Sequence, residues 1–70
     1  MTETRAKGIM RALDKNGWFR KYSSGENGYT EILKHGEEDY AMYSVSGKCF
    51  RDCFFTGNRK QCVSLLRTFD

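Results

Sequence analysis

The sequence contains no proline, one histidine and three cysteines, and these shortages exclude several kinds of protein. A chain without proline is not a proline-rich linker, and a single histidine leaves one candidate base for nucleophilic catalysis. Three cysteines cannot all pair within one chain, so we expect reduced thiols and no structural disulfide. Residues 1–10 lack the apolar run of a secretory signal or membrane span, which predicts a cytoplasmic location and no membrane partner.

Motifs for catalysis and cofactor binding are also missing. The sequence has no nucleophile elbow, dinucleotide fingerprint, P-loop or kinase-like loop. His35 lies in a predicted acidic surface loop, and Cys49 and Cys53 would stand roughly 13 Å apart on one strand, too far to bind one metal. We expect the thiols, including that of Cys62, to be buried as small hydrophobic groups. The prediction is a protein that is not an enzyme, with no catalytic residues, no metal and no cofactor.

The composition indicates a folded domain with a mild basic bias. Five phenylalanines, four tyrosines and one tryptophan supply apolar area, and 12 basic residues against 9 acidic ones give a formal charge of +3. The charges are scattered, so the bias favours anionic partners without resembling a nucleic-acid-coating tail. Residues 1–70 are predicted to form a single compact domain, for which dimerisation would add stability.

Helices are predicted at both ends of the chain. In residues 2–16 apolar residues recur at three- and four-residue spacing, and Asn16 with Gly17 supplies a C-terminal stop. Asn58 and Gln61 match a capping box that begins a second helix. The predicted buried stripes are Ala6, Ile9, Met10 and Leu13 in the first helix, and Cys62, Leu65, Leu66 and Phe69 in the second.

The middle of the chain predicts strands separated by turns. Segments rich in aromatic and β-branched residues cover Trp18 to Tyr22, Tyr29 to Lys34, Tyr40 to Val45 and Cys49 to Phe55. Residues 23–28, 35–39 and 46–48 are rich in turn-forming residues, and such short connections favour an antiparallel meander. The predicted class is a small α+β fold, α-β-β-β-β-α, whose three to four strands carry both helices on one face and leave the other face bare.

The aromatic residues of the last strand conflict with simple alternation. Phe50 and Phe54 point one way, whereas Cys53 and Phe55 point the other, so a β-bulge or burial on both sides is required. We expect Phe50 and Phe54 to be in the core, together with Phe69 and with either Trp18 or Phe19.

Two cations stand at the start of the second helix, where the helix dipole favours anions. Arg59 and Lys60 beside free backbone N–H groups resemble the parts of an anion or phosphate site, with Arg67 two turns further on and Arg51 in the preceding strand. The alternative is an ordinary helix start with solvated side chains. If the corner binds a partner, replacing Arg59 and Lys60 by alanine weakens that binding and leaves thermal stability level or slightly raised.

Aromatic residues in the strands form the second candidate feature, and cations lie among them. The aromatics are Trp18, Tyr22, Tyr29, Tyr40 and Tyr43, and the cations are Arg20, Lys21 and Lys34. An exposed sheet that carries aromatic rings and cations can stack bases, but tyrosine is equally favoured in protein interfaces. The full set of predicted partner-binding residues is Arg51, Arg59, Lys60, Arg67, Tyr22, Tyr29, Tyr40 and Tyr43.

We therefore predict a small non-enzymatic binding module that acts through a protein–protein interface as an inhibitor or adaptor. Its form is typical of accessory proteins of phages and mobile elements, including anti-CRISPR-like inhibitors of host nucleoprotein defence complexes. The expected partner is a protein or nucleoprotein complex. The alternative is a small basic nucleic-acid-binding protein that uses the Arg59 and Lys60 corner and exposed sheet aromatics. A homodimer through bare sheet faces or edge strands is compatible with both.

Overall fold

The computed structural model describes residues 1–22, 28–46 and 50–69, with Tyr22 described by its backbone alone. Two helices flank one four-stranded antiparallel sheet, whose strands lie side by side in chain order. The elements are α1 (Glu3–Asn16), β1 (Trp18–Tyr22), β2 (Gly28–Gly36), β3 (Asp39–Ser46), β4 (Phe50–Gly57) and α2 (Arg59–Leu66). The predicted α-β-β-β-β-α fold is confirmed. The predicted turns at residues 23–27 and 47–48, and Cys49, lie outside the described residues.

Local signals account for both ends of α1. The Thr2 hydroxyl accepts the N–H of Arg5 at 3.2 Å and caps the first turn. Gly17 has a φ of 80°, in the left-handed region that suits glycine, and donates its N–H to the carbonyl of Leu13 at 2.8 Å. The predicted helix and its stop are confirmed, and its predicted stripe of Ala6, Ile9, Met10 and Leu13 is buried.

A capping box begins α2, as predicted. The Asn58 side chain accepts the N–H of Gln61 at 2.9 Å, and the Gln61 side chain accepts the N–H of Asn58 at 2.9 Å. This reciprocal pair satisfies two backbone donors at a helix start that has no acidic residue in its first turn. The cap therefore secures the helix start despite the unfavourable charges of Arg59 and Lys60.

A β-bulge in β4 decides which side chains reach each face of the sheet. Phe55 pairs with Met42, but the next pair joins Cys53 to Tyr43, so Phe54 is an extra residue without a partner position. Without the bulge, Phe55 and Arg51 would share a face; with it, Phe55 faces the helices and Arg51 faces the opposite side. Of the two predicted alternatives, a bulge or burial on both sides, the structure shows the bulge. Strand β4 extends two residues past the predicted end, to Gly57.

The core lies between the two helices and one face of the sheet. Its buried members are Ala6, Ile9, Met10, Leu13, Ile32, Tyr40, Met42, Cys62 and Leu66. Phe19, Phe55 and Phe69 are partly buried and pack against this cluster. Phe69 packs against the core as predicted, but it lies beyond the end of α2 at Leu66 and so is not part of the helix stripe. Of the pair Trp18 or Phe19 it is Phe19 that reaches the core.

Four core and surface assignments from the sequence are wrong. Phe50 is 61% exposed because it begins β4, at the end of that strand remote from α2, and Phe54 is 46% exposed because it is the bulge residue. Tyr40, predicted to contact a partner, is 0% exposed because β3 turns it towards the helices beside Met42. Burial of the thiols holds for Cys62 but not for Cys53, which is exposed on the other face.

Candidate functional site

The face of the sheet opposite the helices, here called the open face, carries a dense set of polar and aromatic side chains. Successive strand residues point to opposite faces, so the neighbours of buried Ile32 and Met42 point away from the core. The open face includes Trp18, Arg20, Tyr29, Glu31, Leu33, Tyr43, Val45, Arg51 and Cys53. No helix covers it among the described residues.

Glu31 is the centre of this face and is only 6% exposed. Arg20 lies directly opposite on β1, and its Nε donates to Oε2 of Glu31 at 2.9 Å. Arg51 reaches across β3 from β4 and donates through Nη2 to the other oxygen, Oε1. A buried carboxylate is costly unless both charge and hydrogen bonds are compensated. Two guanidinium groups provide that compensation for Glu31.

The same guanidinium groups lie over aromatic rings. The Arg20 Cζ is 5.1 Å from the Trp18 ring centroid and 5.3 Å from that of Tyr29. The Arg51 Cζ is 4.3 Å from the ring centroid of Tyr43. These are cation–π distances, and each adds roughly 0.5–1 kcal/mol of attraction at an exposed site. Together these residues form the arginine–aromatic cluster, which consists of Trp18, Arg20, Tyr29, Glu31, Tyr43 and Arg51.

A second feature, the helix groove, lies on the opposite side of the molecule. It has a volume of about 750 Å³ and runs between α1 and α2. Its walls include Lys7, Met10 and Arg11 from α1, and Lys60, Val63 and Arg67 from α2 and the turn after it. Two acidic residues, Glu3 and Glu38, also line it. Glu3 lies 3.7 Å from the Lys7 Nζ, and Glu38 accepts the backbone N–H of Arg59 at 3.1 Å.

Arg59 joins the two helices to the sheet. Its Nη1 and Nη2 donate to the two carboxylate oxygens of Asp14 at 3.1 and 3.0 Å, and Nη1 also donates to the Tyr40 hydroxyl at 3.0 Å. Lys34 donates to the same carboxylate at 2.9 Å. These bonds, first that from Arg59 and then that from Lys34, lower the pKa of Asp14 to about 2. The carboxylate in turn raises the pKa of Lys34.

The Arg59 contacts change the stability expected when the corner formed by Arg59 and Lys60 is replaced by alanine. Its guanidinium already has an internal anion, so removing it breaks bonds and does not merely relieve a helix dipole. We therefore expect the Arg59→Ala change to lower stability, the reverse of the sequence-based expectation. Lys60 has no ion pair within the described part of the chain.

The predicted site residues separate into two surfaces. Arg59, Lys60 and Arg67 line the helix groove. Arg51, Tyr29 and Tyr43 belong to the open face, on the other side of the sheet. Tyr40 is in the core, and the Tyr22 side chain is outside the described residues. The structure therefore places Tyr29 and Tyr43 on a different surface from the Arg59 and Lys60 corner.

Sequence reasoning missed Glu31 as the centre of the open face. It noted Trp18 and Arg20 among the strand aromatics and cations but did not include them in the set of partner-binding residues. One signal was available in the strand spanning residues 18–22, where Trp18 and Arg20 share a face by simple alternation. No pattern in the sequence pairs Glu31 with Arg51, because that contact depends on the β4 bulge and on strand order.

The thiols and the acidic residues form no further site in the described part of the molecule. Cys62 is buried, which raises the pKa of its thiol to about 11. The described residues contain no group of three or more His, Cys, Asp or Glu side chains placed to bind a metal. Within the same residues, no helix combines the length and the apolar character needed to cross a membrane.

No known protein family, curated protein sequence or solved structure matches this chain.

Proposed function

We propose that this chain is a small non-enzymatic binding module that acts through a protein–protein interface as an inhibitor or adaptor, with the open face as its contact surface. The observation that supports this most is the arginine–aromatic cluster, in which Glu31 holds two arginines against the exposed ring of Trp18 and the half-buried rings of Tyr29 and Tyr43. Trp, Tyr and Arg dominate the residues that contribute most to protein interfaces. Their placement before a partner arrives lowers the entropic cost of binding.

The cluster fits a protein partner better than a base-stacking platform. A base needs a free ring face, yet Arg20 covers faces of Trp18 and Tyr29, and Arg51 covers a face of Tyr43. Both guanidinium groups already pair with the Glu31 carboxylate, which leaves less positive charge for a phosphate backbone. Nucleic-acid binding is the second candidate function, and it would have to use the helix groove instead.

Pairing of two open faces is the less favoured use of this surface. Both oxygens of Glu31 already accept bonds from arginines of the same chain. A second copy would therefore bring two more guanidinium groups without a vacant acceptor at the centre. Sedimentation at rising concentration tests this alternative: a constant monomer mass leaves the open face to another protein.

A capture experiment with matched variants tests the proposal. The tagged chain is incubated with a bacterial lysate, with and without nuclease, and bound proteins are identified by mass spectrometry. The open-face variant is Trp18→Ala with Arg51→Ala; the control is Phe50→Ala with Arg5→Ala, which removes the same chemistry from exposed positions elsewhere. We expect a partner that survives nuclease, is lost in the open-face variant and is kept by the control. Capture that vanishes with nuclease would instead favour nucleic-acid binding.

The origin of the chain in a phage or mobile element, a host nucleoprotein defence complex as its target and a cytoplasmic location stay predictions from size and composition. The same capture experiment addresses the target, because it names the proteins that the open face retains.

A further inference from the structure

The helix groove presents cations that the molecule does not use for its own stability. Arg11, Lys60 and Arg67 line it, and none of them forms an ion pair or hydrogen bond through its side chain with another described residue. Arg59, in contrast, is bound to Asp14 and Tyr40 and forms a fixed part of the wall. The groove therefore offers three uncommitted positive charges on its two helical walls.

The groove also has apolar surface and acidic ends. Val63 belongs to its lining and is only partly buried, so an occupant can bury apolar side chains between the cations, whereas Met10 lies beneath the surface and is 1% exposed. Glu3 and Glu38 interrupt the positive surface, which disfavours a continuous phosphate backbone. The eight residues of α2 are about 12 Å long, a length matched by about four residues of extended peptide.

We infer that the helix groove binds a short acidic peptide segment of a partner protein, one that alternates carboxylates with apolar side chains. The carboxylates would pair with Arg11, Lys60 and Arg67, and the apolar side chains would lie against Val63. This inference does not rest on the proposed function of the open face, since the two surfaces lie on opposite sides of the sheet.

The test uses a fluorescein-labelled peptide of alternating glutamate and leucine, titrated with the full chain at low salt and followed by fluorescence anisotropy. The groove variant is Arg11→Glu with Lys60→Glu. The control is Arg5→Glu with Lys15→Glu, which makes the same change in net charge at exposed positions outside the groove. Circular dichroism confirms that both variants are folded, and single-stranded oligothymidylate serves as the competitor.

We expect the peptide to bind the wild-type chain, the groove variant to lose about tenfold or more in affinity, and the control to stay within about twofold. The open-face variant should bind the peptide as the wild type does, which separates this result from the capture experiment. Three results would overturn the inference: no binding to the wild type, equal weakening in the groove variant and control, or oligothymidylate binding more tightly than the peptide and losing affinity in the groove variant.

Discussion

Replacing Arg59 by alanine should destabilise the protein clearly, although the residue stands at a helix start where a cation is electrostatically unfavourable. The change removes the two bonds to Asp14 and the donor to the Tyr40 hydroxyl. Tyr40 is fully buried in the intact protein, so its hydroxyl loses the donor that pairs with it there. The perturbation therefore reaches the core from a residue that is itself only half-buried.

The size of the effect follows mainly from Tyr40. A buried polar group without its partner costs about 1–3 kcal/mol. The Arg59–Asp14 pair adds less than about 1 kcal/mol, because both side chains are more than one third exposed and water screens their charges. Removing a cation from the positive end of the helix dipole raises the free energy of unfolding by only a few tenths of a kcal/mol. We expect a net loss of about 1–3 kcal/mol, with Tm falling by about 4–8 °C for each kcal/mol.

Thermal unfolding followed by circular dichroism measures this loss, and Lys60→Ala is the matched control. Lys60 is the next residue in the same turn and has no ion pair among the described residues, so its replacement should change stability by less than about 0.5 kcal/mol. Equal Tm values for the two variants would refute the structural role given to Arg59.

Three further predictions concern acid sensitivity, thiol reactivity and the end of α1. Bonds from Arg59 and Lys34 lower the pKa of Asp14 from 3.8 to about 2. The ionised Asp14 carboxylate therefore stabilises the fold above pH 3.8, and this stabilisation is lost as the pH falls from 3.8 to about 2. Between those pH values the Tm of Asp14→Asn should therefore fall less steeply than that of the wild type. In a Cys49→Ser background, a thiol reagent should modify exposed Cys53 quickly and buried Cys62 only as the protein unfolds; equal rates would contradict the assigned burial. Gly17→Ala should lower stability by about 1 kcal/mol, as measured by urea denaturation, because its φ of 80° strains any other residue.

The elements of the fold are predictable because their signals are local. Apolar spacing and a glycine stop mark α1, and the Asn58–Gln61 pair marks α2, so each is visible within a few residues. Turn residues between aromatic segments likewise mark the strands. The burial of individual aromatic residues is harder to predict from the sequence. Phe50 and Phe54 look like core residues until the β4 bulge and the limited reach of α2 are known.

The candidate site depends on contacts between distant residues, which the sequence alone does not reveal. Arg59 reaches Asp14 across 45 positions, and Arg51 reaches Glu31 across 20. Cations that look free in the sequence are therefore bound in the structure, whereas Lys60 stays uncommitted among the described residues. The sequence predicts the kinds of residue at the two surfaces, and the sheet register decides which of them meet.

The most direct test of the open face as a partner surface is the affinity of a captured, nuclease-resistant partner for the Trp18→Ala, Arg51→Ala variant. Calorimetry with the purified partner would compare this variant with the wild type and with the Phe50→Ala, Arg5→Ala control. Loss of two interface residues of this kind should cost about 2 kcal/mol or more, which is about thirtyfold in Kd. An unchanged Kd in the open-face variant, or an equal loss in the control, would contradict the account.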